Sequence, residues 1–125
     1  MLETKLAGRR ILVVEDDAMV AMVLESALEE AQCVIVGPFG DLTDALAVVQ
    51  REALDLAVLD INLGGEMVFP LADLLEARGV PFLLLSGYGD TGLPEDRPHW
   101  PVCAKPFKLD HLVAALVRLM EGGAR

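Results

Sequence analysis

Leu56-Ala57-Val58-Leu59-Asp60-Ile61-Asn62-Leu63-Gly64-Gly65 is the stretch that decides how this chain folds. Four aliphatic residues in a row, with no polar alternation, suit a strand covered on both faces, as parallel sheets require. The run ends in an acid, Asp60, and Gly64-Gly65 then signal a loop. In open α/β sheets, ligands bind beyond the carboxyl ends of the strands. An acid at that end is therefore a candidate functional group from the outset.

Working upstream, Ile11-Leu12-Val13-Val14 is a second run of the same kind. Val20, Leu24, Ala27, Leu28 and Ala31 follow at helical spacing. Val34-Ile35-Val36 predicts another strand, closed by Gly37-Pro38, and Asp41 is placed to cap a helix with Leu42, Ala45, Leu46 and Val49 on one face. Working downstream, Val68, Leu71, Ala72 and Leu75 share a helix face, with Pro70 in the first turn, where proline is tolerated. Gly79 stops that helix, and Pro81 to Leu85 predicts a fourth strand. Val102-Cys103-Ala104 is a short fifth. Leu109, Leu112, Val113, Leu116, Val117 and Met120 form the last helical stripe, ended by Gly122-Gly123.

The order is thus strand and helix in alternation, with one interruption. Tyr88 to Pro101 contains Gly89, Gly92, Pro94, Pro98 and Pro101, five breakers in fourteen residues, where a fourth helix would otherwise lie. An irregular loop with at most one short helical turn is expected there. Alternation of this kind predicts an α/β fold, a doubly wound parallel sheet of five strands with helices on both faces. The 125 residues are expected to form one domain, with a core from about 10 to 121 and no output domain.

Bulk properties exclude several function classes. The formal charge is −10 and the ten Lys and Arg are scattered, which argues against a nucleic-acid partner. No apolar run approaches the length of a membrane span, and the N-terminus lacks the apolar segment of a signal peptide, so a cytoplasmic protein is expected. Cys33 and Cys103 lie in apolar runs without C-x-x-C spacing and read as buried free thiols.

Four features sit at predicted strand ends: Glu15-Asp16-Asp17, Asp60, Ser86-Gly87 and Lys105-Pro106. Clustered carboxylates repel one another and call for a cation. An all-oxygen set without His or Cys suits magnesium rather than zinc. A carboxylate at such a cation can attack phosphorus, with an ammonium neutralising the phosphoryl oxygens. Asp17 beside Ala18 is expected to cap the first helix rather than join the metal set.

VVEDD, LDINLGG, LLSGY and AKPF, in that order from about Arg10 to the last helix, resemble the response-regulator receiver family of two-component systems. The resemblance implies the flavodoxin-like strand order 2-1-3-4-5, Mg²⁺ as cofactor, and Asp60 as phosphoacceptor and metal ligand. It implies Asp16 as a direct metal ligand, Glu15 acting through water and Asn62 through its backbone carbonyl. Ser86 becomes the switch hydroxyl, Lys105 the counter-charge, and the Lys105–Pro106 bond cis. It makes the chain a phosphoacceptor rather than a turnover enzyme. The implied partners are a sensor histidine kinase or histidine phosphotransfer protein and a downstream protein target, with the chain itself monomeric. A haloacid-dehalogenase-like phosphatase also uses a strand-end Asp, but wants a second Asp where Asn62 stands.

One departure concerns the switch. Receivers usually carry an aromatic three positions before the lysine, and here that residue is Val102. PFLLLSGYGD is similar to the FAT GUY subgroup of alphaproteobacterial receivers, often stand-alone, through Phe82, Ser86, Gly87 and Tyr88. That similarity moves the switch to Ser86 and Tyr88. The missing aromatic also keeps open a phosphorylation-independent pseudo-receiver. Trp100 is expected to pin the loop to the body, with a partner-facing role as the alternative. His99 and His111 read as solvent-facing.

Overall fold

A computed structural model of the chain describes residues 5–87 and 93–122. Its strands are β1 (Arg10–Val14), β2 (Val34–Phe39), β3 (Leu56–Asp60), β4 (Asn62–Leu63), β5 (Glu66–Met67), β6 (Phe82–Ser86) and β7 (Val102–Ala104). The helices are α1 (Ala18–Glu30), α2 (Leu42–Arg51), α3 (Phe69–Ala77) and α4 (Leu109–Met120). Five strands form one parallel sheet in the order β2-β1-β3-β6-β7, the expected 2-1-3-4-5. Order reverses between β1 and β3, so the carboxyl ends of these two strands flank the switch point.

The aliphatic runs are buried on both faces because successive side chains point to opposite sides. Leu12, Val14, Ala57, Leu59 and Leu84 pack with α2, α3 and Trp100. Ile11, Val13, Val58, Leu83 and Leu85 pack with α1 and α4 on the other side. Asp17 caps α1, its carboxylate accepting from the Met19 and Val20 N–H groups, and Asp41 caps α2 through Asp44. Each cap contributes roughly 1 kcal/mol.

The structure departs from the sequence expectations at three elements. The second strand does not close at Gly37-Pro38 but runs through it to Phe39, with a cis Gly37–Pro38 bond. As an edge strand it loses no ladder donor to proline. Gly37 adopts φ +117°, and a Cβ there would stand 2.7 Å from the Val13 carbonyl, where the β1–β2 register shifts. Second, Gly64-Gly65 form the turn of a β4–β5 hairpin rather than an open loop, pairing Asn62 with Met67 and Leu63 with Glu66. Third, Cys33 and Cys103 are free but only half-buried, because both lie on edge strands or their approaches. Burial still pushes the Cys33 thiol up to about 11.

Between β6 and β7 the expected loop from Tyr88 lies partly outside the described residues, and the described residues 93–101 hold turns only. Trp100 is buried at 4% exposure, edge-on to Phe82 with centroids 5.5 Å apart, and its indole N–H donates to Glu76 on α3 at 3.2 Å. The anchoring reading therefore holds, and the partner-facing alternative does not. His99 is exposed and meets the same Glu76 carboxylate at 3.1 Å.

Candidate functional site

Every polar group singled out at a described strand end arrives at one rim. Glu15 follows β1, and its N–H donates to the Phe39 carbonyl of β2 at 2.9 Å, which continues the ladder one residue past the strand. Its side chain is buried at 0% exposure. Glu15 Oε2 accepts from the Asp17 N–H at 3.1 Å. Glu15 Oε1 lies 3.1 Å from Lys105 Nζ, and beyond this ion pair no hydrogen-bond donor reaches that buried oxygen among the described residues.

Asp60 ends β3, the central strand of the sheet, and is 5% exposed. Its Oδ2 lies 3.4 Å from Lys105 Nζ and its Oδ1 accepts from the Asn62 N–H at 3.4 Å. Asp16 is exposed beside them. Glu15, Asp16 and Asp60 each offer one carboxylate oxygen within 4.8 Å of the others. Ser86 ends β6 and is buried, and its carbonyl accepts from the Lys105 N–H at 2.8 Å, which fixes β7's exit next to β6's. The Lys105–Pro106 bond is cis. Asn62 turns its side chain to the surface, where Oδ1 accepts from the Gly65 N–H at 2.6 Å. Tyr88 lies outside the described residues.

The electrostatics are those of a carboxylate cluster short of positive charge. Burial, then the close Glu15 carboxylate, pushes Asp60 up to about 7, and Lys105 only partly offsets this. Burial works against the Lys105 ammonium, yet contact with Glu15 and the charge of Asp60 prevail and raise its pKa. Among the described residues, the Lys105 ammonium pairs with the two buried members of this three-carboxylate cluster, Glu15 and Asp60. A buried carboxylate oxygen met only by a shared ammonium among the described residues, and a neighbour driven to about 7, are what an oxygen-ligated divalent cation would relieve. The donor set fits magnesium.

The profile of the response regulator receiver domain matches residues 11–117. The chain belongs to the response regulator receiver family. The receiver resembles SdrG from Sphingomonas melonis Fr1, whose solution structure superposes with a TM-score of 0.80 at 38% identity, covering 93% of this chain and 98% of that one. The BeF₃-activated conformation of SdrG gives 0.75 at 37% identity, covering 91% and 98%. The transcriptional regulatory protein PdtaR of Mycobacterium tuberculosis is 27% identical over 112 residues, 86% of this chain and 55% of PdtaR. The chain spans about half the length of the curated relatives it matches. Among the described residues, no helix is long and apolar enough to cross a membrane.

Sequence reasoning missed one feature of the site. The tip of the β4–β5 hairpin approaches Asp16, and a Cβ added at Gly64 would stand 3.5 Å from Asp16 Oδ2. The signal was present, since Gly-Gly between two short strands marks a two-residue hairpin. Strands of two residues carry no periodicity by which to find them.

Proposed function

We propose that this receiver accepts a phosphoryl group on Asp60 from the phosphohistidine of a sensor kinase or histidine phosphotransfer protein, in a Mg²⁺-dependent reaction. The observation that carries the reading is the convergence of Glu15, Asp16 and Asp60 within 4.8 Å, with Lys105 Nζ against both buried acids. Asp16 and Asp60 would hold the ion with the Asn62 carbonyl, and Glu15 through water; bound there, magnesium supplies charge neutralisation at the phosphoryl oxygens. A carboxylate oxygen of Asp60 forms the new O–P bond as the donor's N–P bond breaks, and the imidazole leaves with the bonding pair. Lys105 stands where its ammonium can meet the transferred group. The Ser86 hydroxyl, at the end of β6, and Tyr88 are the proposed switch.

The protein acts as a phosphoacceptor and not as a turnover enzyme. In this reading it works as a monomer in the cytoplasm and signals through protein contacts, and its acidity fits partners with basic faces. The test is phosphotransfer from candidate kinases with Mg²⁺. Wild type should acquire label and Asp60→Asn should not; equal labelling of the variant overturns the assignment. The pseudo-receiver reading rests on Val102, which is 43% exposed where an aromatic would sit. Mg²⁺-dependent binding of beryllofluoride excludes that reading, and its absence favours it.

A further inference from the structure

Asp60 leads directly into the hairpin that returns over the acid pocket. Ile61, Leu63 and Val68 root it in the core, at 1%, 6% and 0% exposure, and the Val68 N–H closes its base on the Ile61 carbonyl at 2.9 Å. Gly64 and Gly65 make the turn with φ of +62° and +98°, the combination a two-residue turn with both central residues left-handed demands. A side-chain bond spans this turn. Asn62 Oδ1 accepts from the Gly65 N–H at 2.6 Å, while the Asn62 N–H donates to Asp60 Oδ1. The turn so fixed brings Gly64 against Asp16. One residue is therefore bonded to the Asp60 carboxylate at one end and to the turn beside Asp16 at the other.

We propose that Asn62 is a positioning residue whose side-chain amide, tied to the Gly65 N–H, locks the β4–β5 hairpin and thereby sets the Asp16–Asp60 spacing that a divalent cation meets. The inference rests on the receiver reading, which assigns Asn62 only a backbone carbonyl. Its side chain is turned out of the pocket, so the amide acts through backbone geometry and contributes no ligand. Outer groups that orient ligands commonly alter metal affinity 10- to 100-fold.

The experiment pairs a metal-free readout with a Mg²⁺ titration. Amide exchange at Gly65 is followed by NMR without metal, and Mg²⁺ affinity is measured by calorimetry, for wild type, Asn62→Ala, Asn62→Asp and Gly65→Ala. Asn62→Ala should lose Gly65 protection and weaken Mg²⁺ by about tenfold or more. Asn62→Asp keeps an acceptor for the Gly65 N–H and should retain protection and near-native or tighter binding. Gly65→Ala strains the turn through φ alone, since its Cβ meets nothing within 4 Å, and should weaken Mg²⁺ with Asn62 intact. Native Mg²⁺ affinity in Asn62→Ala overturns the positioning role and leaves the receiver reading standing. Failure of wild type itself to bind Mg²⁺ overturns the receiver reading, and the positioning role with it.

Discussion

Asp60, the proposed phosphoacceptor, carries a cost that the fold imposes when no cation is bound. Unfolded aspartate titrates near 3.9, whereas burial and Glu15 move Asp60 to about 7 in the folded chain. A raised carboxyl binds its proton more tightly in the folded state. Its contribution is therefore fully present below about pH 4 and is lost as pH rises through about 7. Metal-free protein should accordingly lose stability across this window, whereas Asp60→Asn, which has no proton to lose there, should not. The expected outcome is a Tm for Asp60→Asn several degrees above wild type at pH 8 without metal, the gap closing near pH 4. Saturating Mg²⁺ should raise the wild-type Tm and narrow the difference at pH 8. Thermal melts across pH, with and without Mg²⁺, check this; a gap that is constant with pH contradicts the assigned titration. Asp60 was legible as a site residue because it terminates an apolar run. Its raised pKa was not, since that depends first on burial at the end of the central strand and then on the Glu15 carboxylate that the β1–β3 pairing brings alongside.

At the scale of elements, legibility followed the length of the pattern. α4 and β7 have the boundaries their residues predict, and the stripe of α4 is long enough to admit one period only. The extension of β2 through Gly37-Pro38 was hidden because a Gly-Pro pair locally signals a stop. Here the positive φ of Gly37 and an edge position let pairing continue. The turns over residues 93–101 were legible from their prolines, but not what holds them. Arg97 lies 5.6 Å over the Trp100 ring and pairs with Asp73 at 3.1 Å, and Trp100 and His99 both meet Glu76. Burial rather than charge should dominate this attachment. Trp100→Ala removes an indole that fills the space beside Phe69 and Phe82 and should cost about 3–5 kcal/mol. Glu76→Gln keeps an acceptor for the indole N–H and gives up only exposed ion pairs, about 1 kcal/mol or less. Urea unfolding monitored by far-UV circular dichroism separates the two; similar losses would show that the polar clasp, not the buried ring, holds the loop.

Across the whole molecule, phosphotransfer from a protein donor requires a surface as well as a pocket. In the proposed reaction the donor would bring its histidine to the rim formed by Glu15, Asp16 and Asp60, and α1 begins at that rim, capped by Asp17. The core-facing stripe of α1 was legible in Leu24, Ala27 and Leu28. Its second stripe has no counterpart in the core: Met19, Met22 and Val23, at i, i+3 and i+4, are 77%, 64% and 44% exposed. Large apolar side chains grouped on the open face of a helix suit an interaction site, and methionine adapts readily to a partner's contours. The chain's acidity would assist a donor with a basic rim, but the apolar stripe is what such a donor would cover. Met22→Glu should therefore slow transfer from a cognate phosphohistidine protein by about tenfold, equivalent to about 1.4 kcal/mol of lost docking energy. Phosphorylation by a small acyl phosphate, which needs the pocket and no docking face, should proceed at the wild-type rate. Met22 is exposed, so its replacement leaves the core and the acid cluster undisturbed, and the Tm should move little. Equal slowing with both donors would place the defect in the pocket instead of at the surface, and unchanged transfer from the protein donor would remove α1 from the docking face.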